Sequence, residues 1–496
     1  MTIILRSKRT HSGIRLFLKA KYKIDIRYIA RTEITTRTIA TAEAFGLGVD
    51  DEREFPVCDN VEINVEPNDV VYITGDSGSG KSSILREVEK IFGDKCVNIE
   101  KLEIDKTKPL VDIVGRTLEE SFELLSKVGL NDAFLFLRKY NELSDGQRYR
   151  MKLALLIQSG KPIWIADEFC STLDRDTAKI VAFNVQKLAR QLGKGLFVAT
   201  CNTDLSEDLS PSVRIDKRYG KEIQITYAEN KPAQVCSLVK EMRVEEGTSK
   251  DYKALCQFHY RSTNMAPARK IFKLVRGNEL CGVIVYSWGP VAVFGRRQAM
   301  GRVIRPRELN ALLCIISRVV VHPKYRTIGL GVKIVKETLP LSPTPYTETV
   351  AVMAKYNPFF EKAGMTKIMI KTPDPKVLRA IRILDARGLE SKFIASESYN
   401  IRKLEVMTPQ QLEGVYSTMA SNYHPRLGKH VREVTTWGTA FSHKGVNAQK
   451  AFAEGVRKLS IPRLAHLIRV LALLAQTSVY LFYKKPEEAL NESKIN

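Results

Sequence analysis

The chain is 496 residues long, 44% hydrophobic and 27% charged, enough for about three domains with apolar cores. That balance excludes a disordered or fibrous chain. The formal charge of +23 predicts polyanionic partners, nucleic acid ahead of anionic membrane, because basic surfaces attract phosphates and release counterions; a generally basic, solvated surface is the plain alternative.

The excess charge sits at the two ends. Residues 1–40 hold ten Lys/Arg against two Asp/Glu, and residues 371–496 hold twenty against eleven. The opening "MTIILRSKRTHSGIRLF" has apolar runs too short for a signal peptide and no small-residue cleavage site. In "KYKIDIRYI" (21–29) polar and apolar residues alternate, which predicts a strand with Tyr22, Ile24, Ile26 and Tyr28 on one face and Lys21, Lys23 and Arg27 on the other. Two outcomes stay open, a basic sheet face and a half-buried edge strand whose lysines discourage aggregation. Residues 1–40 are taken as a basic, β-rich N-terminal segment.

Residues 41–228 carry the strongest pattern. "VYITGDSGSGKSS" (71–83) is an apolar strand, a glycine-rich loop with Gly75, Gly80, Lys81 and Ser82 in GxxxxGK[ST] spacing, and the start of a helix. Glycines let backbone N–H groups close on phosphates, and the helix N-terminus adds partial positive charge. Gly75, Asp76, Ser77, Gly78, Ser79, Gly80, Lys81, Ser82 and Ser83 are therefore expected to hold ATP, with Lys81 on the outer phosphates and Ser82 on magnesium. "KPIWIADEFC" (161–170) supplies a second buried strand ending in two acids. Asp167 is expected to hold Mg2+ through water, and Glu168 to orient or deprotonate the attacking water.

Between these motifs lies "NELSDGQRYR" (141–150). Ser144, Gly146 and Gln147 resemble the signature peptide of ATP-binding cassette (ABC) ATPases, with Asp145 in place of its first glycine, and "STLD" (171–174) is similar to that family's D-loop. The resemblance implies that the signature of one subunit closes over ATP held by another, hence a nucleotide-dependent homodimer. Two departures separate the chain from transporter ATPases. No glutamine occurs between Lys81 and Leu143, where transporters have the loop that meets the membrane partner. Cys201 and Asn202 stand where the family's histidine follows the last core strand. Asn202 can hydrogen-bond a γ-phosphate but carries no proton, so hydrolysis is expected to be slow, and no membrane partner is expected.

Residues 229–370 bring a second glycine loop. "LLCIISRVVVHPKYRTIGLGVKIVKETL" (312–339) predicts an apolar strand, a turn and a helix opened by Arg326, Thr327, Ile328, Gly329, Leu330 and Gly331. This resembles the coenzyme A loop of GNAT acetyltransferases, R/Q-x-x-G-x-G/A. "GTSKDYKALCQFHYR" (247–261), "NELCGVIVYSWG" (278–289) and "ETVAVMAKYNPFFEKAGM" (348–365) follow the same family's order of elements. The resemblance implies an acetyl-CoA site at Val319, Val321, residues 326–331 and Asn357, with an oxyanion donor in the strand after Ser317. Where many such enzymes have a tyrosine acid the chain has Phe360. Tyr356, Glu348 and His322 are left as candidates for proton transfer, alongside a degenerate site that binds coenzyme A without chemistry.

Residues 371–496 are expected to be basic and mostly helical. "KVLRAIRILDARGL" places Arg379 and Arg382 one turn apart, and "HPRLGKHVREVTTWGTAFSHKG" mixes cations with Trp437, a combination that contacts phosphates and stacks on bases. A helical cap packing through "LIRVLALL" is the equal alternative. "LAHLIRVLALLAQTSVYLFY" (464–483) is expected as one buried helix, since His466, Arg469 and Gln476 rule out a span. The eight cysteines form no CxxC pair, and Cys170, Cys201, Cys281 and Cys314 lie in or beside apolar runs, which predicts reduced core thiols and a cytoplasmic location.

As a whole the chain resembles a class in which an ABC-type ATPase is fused to a predicted GNAT acetyltransferase, found in archaea, bacteria and their viruses. The expectation is an α/β protein with a P-loop ABC-type ATPase domain, a GNAT acyltransferase-like α/β domain and a basic helical C-terminal region. Its cofactors would be ATP, Mg2+ and acetyl-CoA, and its partner a nucleic acid, RNA or viral DNA.

Overall fold

The computed structural model describes residues 2–9, 20–30, 33–48, 53–258, 265–352, 354, 357–431 and 446–486. Two compact units share the chain, one made of Met1–Tyr286 and Ser317–Thr338, the other of Ser287–Ile316 and Leu339–Asn496. Tyr356, Trp437 and most of the cationic stretch around Trp437 lie outside the described residues.

At the centre of the first unit is a six-stranded sheet. Strands β4 (Val70–Gly75), β5 (Cys96–Asn98), β6 (Ile163–Ala166), β7 (Gly195–Thr200), β8 (Val213–Lys217) and β9 (Ile223–Tyr227) stand in the order β5-β6-β7-β4-β8-β9. All neighbours are parallel except β8 and β9, which form a hairpin. Continuous apolar runs suit this arrangement because strands of a parallel sheet are covered on both faces; every residue of β6 and β7 is buried. Helix α1 (Lys81–Phe92) buries Ile84, Leu85 and Val88, a stripe at helical spacing. Helices α2 (Asp145–Gln158) and α3 (Arg175–Gln191) contribute Met151, Leu153, Ala178, Val181 and Val185 to the core over Tyr72, Trp164 and Val198.

The N-terminal strand falls as the alternation predicts, with Ile24 and Ile26 buried, but the expected boundary at residue 40 does not separate a segment. Strands β1 (Thr2–Arg9), β2 (Ala20–Ala30) and β3 (Arg53–Val65) form an antiparallel sheet with β2 in the middle. Ile24, Ile26, Val57, Ile63 and Val65 share a core with Val71, Ile73, Ile84 and Leu85 of the large sheet and α1. Nor is β2 an edge strand. Its Arg27 is neutralised by Asp25, Glu54 and Asp59 at 3.0, 3.1 and 2.9 Å.

Also in this unit are β10 (Met242–Glu246), β11 (Ala268–Arg276), β12 (Glu279–Trp288), helix α4 (Ser249–Leu255), residues 317–321 of β13 (Leu313–Val321) and helix α5 (Leu330–Thr338). β10 and β11 pair antiparallel from Met242↔Arg276, and the chain turns at Gly277 into β12. The strand expected at 278–289 and the strand, turn and helix expected at 312–339 form, and 247–261 forms a helix over Ser249–Leu255, with residues 259–261 outside the described residues.

The second unit holds residues 313–316 of β13, then β14 (Tyr346–Ala351), β15 (Thr366–Lys371) and β16 (Ser478–Lys484), in the order β13-β14-β16-β15. β13 and β14 are parallel, and β16 lies antiparallel to both β14 and β15. Between β15 and β16 come helices α6 (Pro375–Ala386), α7 (Glu397–Glu405), α8 (Pro409–Ser421), α9 (Val446–Arg457) and α10 (Ile461–Leu474). Val377, Leu384, Leu404, Val415, Met419, Phe452, Leu464, Ile468 and Leu471 make their common core. The segment 464–483 is therefore not one helix. Its first half is α10; its second, "SVYLFYK", is a strand of β-branched and aromatic residues that completes a sheet, and tertiary pairing overrides the apolar run's ambiguity. No helix among the described residues is long and apolar enough to cross a membrane.

Candidate functional site

The first glycine loop leaves β4 at its carboxyl end. Gly75 has φ 141°, and a Cβ there would lie 1.8 Å from the Lys217 carbonyl oxygen on the paired strand β8. Gly78 and Gly80 have φ 76° and 102°, and a Cβ on Gly80 would meet the Val57 side chain at 2.3 Å. Only glycine satisfies both the left-handed backbone and the close approach. α1 then begins at Lys81 with no side-chain cap on its first-turn N–H groups, which leaves donors for an anion. The Lys81 ammonium donates to the carbonyls of Gly75 and Asp76 at 2.8 and 2.6 Å, so it lies curled over the loop's mouth. Asp76, Ser77 and Gly78 are exposed, while Gly80 and Ser82 are half-buried. Ser79 is 4% exposed and its hydroxyl has no partner, an orphaned polar atom that fits a loop built to hold phosphate. Ser83 is buried, and its hydroxyl bonds that of Tyr28.

Two further chain ends open at the same edge of the sheet, since β6 and β7 run parallel to β4. After β6 come Asp167 and Glu168. Glu168 is exposed with φ 48°, a conformation rare outside glycine and often held at functional sites. Three bonds fix it: its own N–H donates to Asp167 Oδ1 at 2.9 Å, Phe169 N–H to Ala199 O at 2.8 Å, and Cys170 N–H to the Tyr149 hydroxyl at 3.1 Å. After β7 comes Asn202, whose N–H donates to Thr200 Oγ1 at 3.2 Å and whose carbonyl accepts from the Tyr72 hydroxyl. Cys201 beside it is exposed, contrary to the expectation of a core thiol; the other seven cysteines are buried or half-buried, and all eight are free.

Ser144 is the N-cap of α2. Its hydroxyl accepts from Gln147 N–H at 3.4 Å, and Gln147 Oε1 accepts from Ser144 N–H at 3.1 Å, a reciprocal capping box. A Cβ on Gly146 would stand 3.1 Å from Leu173 Cδ2 and 3.3 Å from Thr172 O, so the signature glycine packs against the "STLD" segment. Asp145 occupies the helix's first turn, where a carboxylate suits the positive end of the dipole. Asp174 caps α3 by accepting from Thr177 N–H and Oγ1 at 3.2 and 2.6 Å. Tyr219, which the sequence did not single out, donates its hydroxyl to Ser77 O at 2.6 Å. It belongs to the turn between β8 and β9, where only proximity in space could reveal it.

The second glycine loop follows β13. Val320 is buried while Val319 and Val321 are half-exposed, as strand alternation requires. Thr327 and Gly329 have φ 75° and 89°; Ile328 and Leu330 are buried at 6% and 1%, and Gly331 is half-buried. Gly329 is exposed, and a Cβ there would meet nothing within 4 Å. Arg326 departs from its expected role as a ligand for pyrophosphate: its guanidinium donates to the carbonyls of Val321, Asn131 and Phe258 at 3.1, 2.6 and 3.3 Å and so braces the loop. His322 accepts from Lys324 N–H at Nδ1, which puts its proton on Nε2. Burial, followed by the charges of Lys324 and Arg326, pushes its pKa down against the pull of Glu279.

In the second unit Glu348 also departs from expectation. It is 0% exposed, and its carboxylate accepts from Arg296 at 2.5 and 3.0 Å and from the Tyr480 hydroxyl at 2.8 Å. A carboxylate whose two oxygens are held by a buried guanidinium and a phenol is a structural anion, not a free base. Asn357 is exposed, and Phe360 is buried with its ring 4.1 Å from that of Phe359. Arg379 and Arg382 of α6 and Arg387 at its C-cap line a groove of about 660 Å3 with Pro375, Ile383 and Ala386.

No protein-family model matches the chain. Among curated relatives, it is 26% identical over 173 residues to the cytochrome c biogenesis ATP-binding export protein CcmA of Ruegeria pomeroyi, covering 31% of this chain and 82% of that protein. It is 27% identical over 222 residues to the uncharacterized ABC transporter ATP-binding protein Rv0986 of Mycobacterium tuberculosis, covering 37% and 88%. Among solved structures, it is similar to the ATP-binding cassette MJ0796 in a dimeric post-hydrolysis state bound to ADP and Pi, at 22% identity over 36% of this chain and 93% of that one, with a TM-score of 0.30. About a third of this chain is an ABC-type ATPase domain.

Proposed function

We propose that the chain is a cytoplasmic, ATP-hydrolysing enzyme that couples its ABC-type domain to an acetyl-CoA-dependent N-acyltransferase acting on nucleic acid. Lys81 and the amides of residues 75–83 would hold the phosphates, Ser82 and Asp167 magnesium, and Glu168 the attacking water. Magnesium there would neutralise charge developing on the transferred phosphoryl group. The unpartnered Ser79 hydroxyl and the uncapped start of α1 fit that ligand. Ser144, Gly146 and Gln147 would close over the nucleotide of a second copy, head to tail.

The observation that carries the acyltransferase half is the second loop: two left-handed positions, Thr327 and Gly329, flank Ile328 ahead of α5. Gly329 leaves open space where a ligand's phosphates can approach. Acyl transfer joins the acceptor nitrogen to the thioester carbonyl carbon as the carbon–sulfur bond breaks, and the amine proton ends on a base or the departing thiolate. With Glu348 committed to Arg296, that proton falls to Tyr356, His322 or solvent. The groove of Arg379, Arg382 and Arg387 favours a phosphodiester acceptor, since guanidinium forks match phosphate oxygens.

The test incubates the full chain with labelled acetyl-CoA, ATP–Mg and total nucleic acid. The expected result is label in the nucleic acid, lost in Lys81→Ala and in Gly329→Glu. Label on protein or on small amines would remove the nucleic-acid acceptor, and transfer unaffected by either substitution would remove the coupled enzyme.

A further inference from the structure

Both glycine loops belong to the first unit, and a series of contacts runs along the chain from Glu168, which opens at the same sheet edge as the first loop, to the second loop. Ser171 N–H donates to Glu168 O at 3.0 Å, and Leu173 N–H to Cys170 O at 3.2 Å, so the "STLD" segment is wound tightly onto the acid. Gly146 presses on that segment from the signature helix. Its last residue, Asp174, caps α3 and also meets the Lys324 ammonium at 3.5 Å. Two residues on, Asp176 receives both Arg276 nitrogens at 2.9 and 2.8 Å, Lys324 at 2.7 Å and the Tyr325 hydroxyl at 3.1 Å. Tyr325 is fully buried, and its single hydroxyl proton is shared between Asp176 and Glu279, whose Oε2 is 2.6 Å away.

The same helix reaches the acyl loop directly. Asn184, buried on α3, donates from Nδ2 to Thr327 Oγ1 at 2.8 Å. Thr327 is the β-branched residue at φ 75°, a conformation that persists only where its surroundings over-determine it. From beside the ATPase core, Asn131 donates to Pro323 O at 3.3 Å and accepts from Arg326 at 2.6 Å. The strained turn of the second loop is thus held by side chains of the ATPase.

We propose that nucleotide engagement at the first loop sets the affinity of the second for its acyl carrier, through Asp174, Asp176 and Asn184 of α3 acting on Lys324, Tyr325 and Thr327. This rests on the reading of residues 326–331 as an acyl-carrier site. A signature helix drawn onto a partner's nucleotide bears on Thr172 and Leu173. α3, anchored at Asp174, carries that movement to both ends of the contact. Linkage is reciprocal, so acetyl-CoA changes ATP affinity by the same factor.

The test is calorimetric titration of acetyl-CoA into the full chain carrying Glu168→Gln, which lacks the acid expected to drive hydrolysis, with and without ATP–Mg. Coupling predicts a Kd ratio of about fivefold or more. Asp176→Asn and Asn184→Ala should bring that ratio toward one. Thr327→Gly keeps the backbone conformation, loses the Asn184 bond and should do the same, and it guards against a failure of the first two to fold. Equal affinity with and without nucleotide overturns the coupling alone. A ratio unchanged in all three variants overturns this route for it. No acetyl-CoA binding under any condition removes the acyl-carrier reading and the proposal with it.

Discussion

Gly75 shows how little freedom one residue can have. A methyl group there would overlap the Lys217 carbonyl, which belongs to a paired strand and cannot step aside. Gly75→Ala is expected to cost more than about 3 kcal/mol, whereas Gly46→Ala, at φ 62° with open space around it, should cost only about 1 kcal/mol; urea melts of the two variants check the contrast. Asp176 makes a second prediction. Burial works to raise its pKa, but hydrogen bonds from Arg276 and Lys324 outweigh burial and bring it to about 2. Because the folded value lies below the unfolded one, near 3.8, its stabilisation is complete above pH 4 or so and fades as pH falls toward 2. Acid unfolding of Asp176→Asn should accordingly be flatter than wild type across that window.

Elements, taken singly, differ in how plainly they were written in the sequence. β4, α1, β6 and α2 were legible because phosphate chemistry fixes the spacing of glycine, lysine and acid along one stretch of chain. β16 was not, since "SVYLFY" following "LIRVLALL" is one apolar run, and only pairing with β14 and β15 distinguishes strand from helix. The role of Glu348 is hidden for a similar reason: nothing near it in sequence announces Arg296 or Tyr480. That trio predicts a large effect. Arg296→Leu leaves a buried, uncompensated carboxylate and should destabilise the chain by about 3–5 kcal/mol, while Tyr480→Phe, which removes one hydrogen bond, should cost about 1–2 kcal/mol. Thermal denaturation of both, read against the double variant Arg296→Leu with Glu348→Gln, separates charge from packing; the double variant should recover part of the loss.

Across the whole molecule two assemblies are predicted. Glu168→Gln with ATP–Mg should elute at twice the monomer mass in light scattering and return to monomer when Lys81→Ala is added; a monomer in both would remove the head-to-tail dimer. Nucleic-acid affinity should fall with salt, and changing Arg379, Arg382 and Arg387 together to Ala should lower the slope of log K against log salt by about 2–3. The sheet of the second unit carries a further consequence. β15 and β16 are adjacent partners, yet helices α6–α10 lie between them along the chain, and β16 fills the gap between β14 and β15. During synthesis those two strands must wait with open edges until residues 478–484 leave the ribosome, so a chain stopped after α10 would expose two hydrogen-bonding edges at once. Such a truncation should aggregate, and supplying the peptide "SVYLFYK" in trans should relieve it.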